Sequence, residues 1–140
     1  MKAEIPKAVR RQMNALIGAA HERALANALQ ELDNHFDRWR RGEIDPFELA
    51  AIIHKFHDGP ARDIYNRFSD RRNSRLVALT AYSVASGLVE EGAVPPEVRP
   101  YIELALRFHR EDAAEAQADL NITERASPNP RYSAPHSPRG

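Results

Sequence analysis

Three histidines are the side chains whose chemistry and spacing stand out in this chain. His54 and His57 are three residues apart, which places both on one face of a helix, and His35 lies on the helical pattern before them. Imidazole and carboxylate together can bind zinc, and Asp37 and Asp58 lie close by in sequence. We therefore consider a metal site at His35, His54 and His57. The alternatives are buried structural histidines and an acid–base or pH-sensing role.

Between the first two helical patterns, Gly42 is the sixth residue and Glu48 the twelfth when counted from Asp37. This spacing resembles an EF-hand loop. The third and fifth positions, which supply oxygen ligands in EF-hands, are Trp39 and Arg41. Calcium binding would lack two ligands and meet a positive charge, so we interpret Gly42 and Glu48 through helix termination and capping.

A basic cluster at the N-terminus, Lys7, Arg10 and Arg11, is a candidate nucleic-acid surface. It lies where a helix begins, and cations there oppose the helix dipole, so helix electrostatics does not explain it. Binding through these residues would weaken steeply with salt. However, twenty Lys and Arg are balanced by twenty Asp and Glu, and acids are interleaved with the other basic clusters. We therefore do not expect nucleic acid to be the main partner.

The sequence contains no pattern that predicts an enzyme. There is no cysteine, which excludes disulfides, thiolate metal sites and a cysteine nucleophile. Nucleophile-elbow, phosphate-loop and dinucleotide-binding glycine motifs are also absent from the sequence. We therefore expect no catalytic residue and no cofactor, and we interpret the chain as a protein–protein interaction or regulatory module that acts through its surfaces.

The first helical pattern is long enough to form an interface by itself. From Ala8 to Arg41, apolar residues recur at steps of three and four, drifting toward the 3.5-residue step of a coiled coil. Such a helix would run about 50 Å, longer than one small core needs. We predict a homo-oligomer, a dimer, formed through it; a long edge helix in a monomer is the alternative. The predicted interface residues are Met13, Leu16, Leu25, Leu32, Arg38 and Trp39.

The remaining patterns predict an all-α bundle of four to five helices. Glycine ends the first helix and Asp-Pro-x-Glu begins the second, which predicts an αα-hairpin at Gly42 to Asp45. Asp58-Gly59-Pro60 should break or kink the second helix. A third helix from Ser74, its predicted N-cap, to Glu90 carries a long uncharged run and should be the most buried.

A fourth helix begins near Pro100, and the chain then becomes polar and rich in proline and serine. We predict one helical domain over residues 1–120 and a flexible, disordered tail over residues 121–140. The N-terminal residues lack the apolar run of a secretory signal, and no uncharged run reaches the ~20 residues of a membrane span. A cytoplasmic location is the resulting expectation.

Overall fold

The computed structural model describes residues 4–126, with side chains through residue 123. Over this range the chain is all helical and forms a bundle with a long first helix, as predicted. The helices are α1 (Lys7–Arg40), α2 (Pro46–Phe56), α3 (Arg62–Ser69), α4 (Asn73–Ala85) and α5 (Arg99–Ala126). A π-helical turn over His57–Ala61 joins α2 to α3, and a 3-10 turn over Glu91–Ala93 lies between α4 and α5.

A Schellman motif ends α1. Gly42 has a φ of 76°, the left-handed conformation that glycine adopts without strain. Its amide donates to the Trp39 carbonyl at 3.0 Å, and the Glu43 amide donates to the Arg38 carbonyl at 2.9 Å. These two bonds satisfy carbonyls that would otherwise lack partners at the helix end.

The Asp45 side chain begins α2. Its Oδ1 accepts a hydrogen bond from the Glu48 amide at 2.7 Å, and Pro46 occupies the first helical position. The hairpin predicted at Gly42 to Asp45 is therefore confirmed. It turns the chain back so that α2 packs along α1.

At Pro60, where the sequence predicts a break or a kink, the helix is not broken but passes through a π-helical turn. Proline has no amide hydrogen and cannot continue the α-helical ladder, so the backbone widens over one turn and then resumes as α3. The two helices and the turn between them all pack on α1. Phe68, near the end of α3, consequently stacks on His21 of α1 with ring centroids 5.2 Å apart.

The core lies where the first half of α1 meets α4 and the start of α5. As predicted, α4 is deeply buried, and its two buried polar residues, Thr80 and Ser83, donate to the carbonyls of Leu76 and Leu79 at 2.7 Å each. Both buried hydroxyls therefore have hydrogen-bond partners. A buried hydroxyl without one would destabilise the fold. The apolar core comprises Val9, Met13, Leu16, Ile17, Ala20, Phe68, Leu76, Leu79, Ala81, Val84, Val89, Val94, Val98 and Ile102.

Three predicted boundaries are wrong. Arg72, not Ser74, precedes α4 as its N-cap residue, without a side-chain cap. Gly87, with a φ of 77°, ends this helix at Ala85 rather than at Glu90. At the C-terminal end, α5 continues to Ala126, past the predicted start of the tail at residue 121. Residues 127–140, the rest of the predicted tail, lie outside the described part of the chain.

Two helical segments extend past the core. Buried residues of α1 end at Ala20, and every side chain of α5 from Glu111 to Thr123 is exposed. Through residue 126, no helix combines the length and apolar character required to cross a membrane. The described chain thus has three parts: a packed body, the outer half of α1 with α2 packed along it, and a projecting end of α5.

Candidate interaction surface

The outer half of α1 carries large apolar side chains that the core leaves uncovered. Their spacing alternates between four and three residues, which is the heptad pattern of a coiled-coil face. Three of them are exposed, Leu29 to 48%, and the other two are half-buried. We name this row the distal α1 stripe; it consists of Leu25, Leu29, Leu32, Phe36 and Trp39.

The α2 helix covers one side of this part of α1 and adds apolar surface of its own. Leu32 and His35 of α1 face Ile52 and Phe56 of α2 across a groove of about 270 Å³. Beyond the groove, Ile53 is among the exposed large apolar residues. We name the outer half of α1 together with α2 the two-helix arm. A row of exposed apolar side chains along a helix outside the core is typical of a docking face.

The charged side chains at the tip of the arm have local partners. Arg40 donates to Asp37 at 2.7 Å, and Arg38 lies 3.2 Å from the Nδ1 atom of His35. Arg38 also reaches Glu43 at 3.6 Å. Trp39 therefore lies exposed among charged groups that already have partners, which lowers the desolvation cost of covering it.

The predicted interface residues fall into two groups. Met13 and Leu16 are buried in the core of the single chain, so their assignment to an interface between chains is corrected. The reason is that α4 covers the first half of the α1 apolar face. Leu25 and Trp39 are exposed, while Leu32 and Arg38 are half-buried on the arm. Their role in an interface stays a prediction.

Sequence reasoning omitted two members of the stripe. Leu29 and Phe36 continue the heptad spacing between the predicted residues Leu25, Leu32 and Trp39. That spacing was the signal that would have included them, because residues at heptad positions share one helix face. Leu29 is also more exposed than Leu25.

The predicted metal ligands lie in two separate environments. His35 faces the groove between α1 and α2 and contacts Arg38. His54 and His57 are exposed, and each lies beside Asp58, with nitrogen–oxygen distances of 3.1 and 3.4 Å. Within residues 4–126, no three histidine or carboxylate side chains are grouped as metal ligands. The metal site stays a prediction, and the exposure of His54 and His57 contradicts the buried structural alternative for those two.

The predicted nucleic-acid residues differ in their exposure. Lys7 and Arg11 are exposed, whereas Arg10 is half-buried and lines a cavity with Asn73 and Tyr101. The buried Nε atom of Arg10 has no hydrogen-bond partner among the described atoms. The nucleic-acid role of the three residues stays a prediction.

Comparison with protein-family models, curated proteins and solved structures finds no match to this chain. The geometry of the chain itself is therefore the basis for assigning a function. The most distinctive part of that geometry is the two-helix arm. It carries a heptad-spaced row of apolar side chains that lies outside the core, where such a row would ordinarily be buried.

Proposed function

We propose that the chain is a non-enzymatic helical interaction or regulatory module that self-associates into a dimer through the two-helix arm. The observation that carries the proposal is the distal α1 stripe. A helix that continues past its own core with apolar residues at heptad spacing gains stability when another helix covers that face. The proposal includes the cytoplasmic location expected from the sequence.

A second copy of the chain is the occupant that best fits the stripe. Knobs-into-holes packing requires the same spacing on both helices, and an identical stripe supplies it. A two-fold dimer also uses one patch twice, so no second complementary surface is needed elsewhere on the molecule. The exposed Ile53 of α2 would widen the covered area beyond the single helix.

The electrostatics of the arm are compatible with this packing. The arginines that flank Trp39 already have local partners, with Arg40 bound to Asp37 and Arg38 beside His35. Burial of the stripe would therefore leave no charged side chain at the tip of the arm buried without a partner. A different protein with a heptad-spaced helix is the alternative partner, and the experiment below distinguishes it from a second copy.

The test is a matched pair of leucine substitutions. Leu29→Glu places a charge on the stripe, and Leu104→Glu places the same charge on an α5 leucine that is 64% exposed and outside the arm. Both changes are made in helices at exposed positions, so their intrinsic helix effects are alike. In sedimentation velocity we expect wild type and Leu104→Glu at twice the 15.8 kDa chain mass, and Leu29→Glu as a monomer.

Two outcomes would contradict the proposal. A wild-type chain that sediments at 15.8 kDa across the micromolar range has no self-association to explain. A dimer that survives Leu29→Glu but dissociates with Leu104→Glu would place the interface on α5. Circular dichroism of both variants establishes that each remains helical.

A further inference from the structure

A second surface, remote from the arm tip, combines several basic and polar side chains in one groove. The groove has a volume of about 590 Å³ and lies where α3, α4 and the middle of α5 meet. Asn66 and Arg67 come from α3, Arg75 and Tyr82 from α4, and His109 from α5. Its floor includes the apolar side chains of Ala78 and Leu79.

The orientation of Arg67 is restrained by aromatic packing. Its guanidinium carbon lies 4.3 Å from the centre of the Tyr82 ring, a cation–π contact. That ring in turn packs edge-on against His109, with centroids 6.3 Å apart, and at a tilt against Phe68, with centroids 6.2 Å apart. Because Phe68 is part of the core, Arg67 rests on a ring that is anchored to the body of the protein.

Within the described part of the chain, the two arginines of the groove form no ion pairs, unlike Arg62 and Arg72 nearby in sequence. Among residues 4–123, neither Arg67 nor Arg75 forms an ion pair, although Asp63 lines the same groove. Asp70, the carboxylate next in sequence, accepts two hydrogen bonds from Arg72, at 2.8 and 2.7 Å. The residues that line the groove thus include two guanidinium groups and one carboxylate, that of Asp63, which leaves an excess of positive charge in the lining.

We propose that this groove binds a small phosphate-bearing molecule. A guanidinium stacked on a ring has already lost much of its conformational freedom, so its N–H groups form paired hydrogen bonds to an oxyanion at a smaller entropic cost. Arg75 supplies the second positive charge, and Asn66 and His109 supply further hydrogen-bonding groups at the rim. A phosphomonoester dianion matches this set better than a carboxylate, because it has three acceptor oxygens and twice the charge.

The dimensions and floor of the groove indicate what the phosphate is attached to. Its volume lies within the range of small-molecule sites. Ala78, which is exposed, offers an apolar surface on which a compact apolar group attached to the phosphate can rest. This binding does not depend on the proposed dimer, because none of these residues belongs to the two-helix arm.

Titration with phenyl phosphate, followed by two-dimensional NMR of the full chain at constant ionic strength, tests the proposal. We expect saturable shifts of the Tyr82 and His109 ring signals. Arg67→Gln and Arg75→Gln should each weaken binding at least tenfold, on the order of the energy of a charge-assisted hydrogen bond. Arg23→Gln, at an exposed α1 arginine outside the groove, should leave binding unchanged. Arg67→Lys, which keeps the charge but not the planar fork, should also weaken it.

Several results would overturn the assignment. If the Tyr82 and His109 ring signals show no saturable shifts at millimolar phenyl phosphate, the groove does not bind small phosphomonoesters. Equal weakening by Arg23→Gln means diffuse attraction to the whole surface. If benzoate binds as tightly as phenyl phosphate or more tightly, the groove is a carboxylate site and not a phosphate site. If Arg67→Gln does not fold, Arg75→Gln decides the question, because Arg75 is exposed and lies outside the aromatic packing.

Discussion

Asp70 is the side chain whose ionisation the fold changes most clearly. Hydrogen bonds from the Arg72 side chain lower its pKa from 3.8 to about 2, and the Arg72 amide and the charges of Arg72 and Arg75 contribute in the same direction. A carboxyl whose folded-state pKa is below its unfolded value stabilises the fold above that unfolded value. The contribution is lost as the pH falls through the folded-state pKa. Here that window runs from 3.8 down to about 2.

Arg72→Gln should therefore raise the pKa of Asp70 toward 3.8. The reason is that glutamine removes the charged side-chain donor, which has the largest effect on this carboxyl. Side-chain carbon NMR through a pH titration measures the change. Arg75→Gln is the control and should produce a smaller rise, because Arg75 acts only through its charge. An unchanged Asp70 pKa in Arg72→Gln would contradict the assignment.

Phe68 connects α3 to the core, and its loss should be costly. It is 1% exposed and stacks on His21, so Phe68→Ala should lower the free energy of unfolding by about 3–5 kcal/mol. Tyr65→Ala, three residues earlier on the same helix and 65% exposed, should change it little. Urea denaturation of both variants measures the difference. Equal losses would show that α3 does not pack as described.

At the residue scale, sequence predicted contacts within one helix better than contacts between helices. The heptad positions of Leu25, Leu32 and Trp39 follow from spacing alone. By contrast, Arg67, Tyr82 and His109 belong to three helices, and nothing in their sequence separation indicates that they meet. Met13 was misassigned for a related reason: the sequence does not say which part of a continuous apolar face α4 will cover.

At the scale of elements, terminators of helices are the features that local sequence determines best. Gly42 and Gly87 both end helices in the left-handed conformation, but only Gly42 was predicted to do so. It is followed by the Asp45 capping pattern, whereas Gly87 lies within an uncharged run that resembles a continuing helix. At Pro60 the sequence predicts a break or a kink but not a π turn, because the compensating packing of α2 and α3 on α1 is a tertiary effect.

Gly42→Ala should destabilise the hairpin through backbone strain alone. A Cβ atom at this position would meet no other atom within 4 Å, so the expected loss of about 1–2 kcal/mol comes from the positive φ of 76°. Gly92→Ala is the matched control, since that glycine also has open space but lacks a positive φ. Thermal unfolding of the two variants compares them. A similar effect of both substitutions would argue against the left-handed conformation at Gly42.

At the scale of the whole molecule, the described chain separates a stable body from surfaces that lie outside it. The first half of α1, α4 and the start of α5 bury most of the apolar residues, and the two-helix arm leaves the distal α1 stripe uncovered. Sequence predicted the long helix and the tendency to associate from its length. Which half of the helix is available to a second copy became evident only from the packing of α4.

The most direct test of the account is a distance between two copies of the arm. The natural chain has no cysteine, so Asp33→Cys gives one site for a spin label beside the middle of the stripe. Packed helices lie about 8–10 Å apart. Double electron–electron resonance should therefore report a defined distance between the two spin labels, on the order of 20–30 Å once the label tethers are included. Adding Leu29→Glu should abolish it. Absence of any dipolar coupling between labelled chains at micromolar concentration, or a coupling that persists with Leu29→Glu, would contradict association through the stripe.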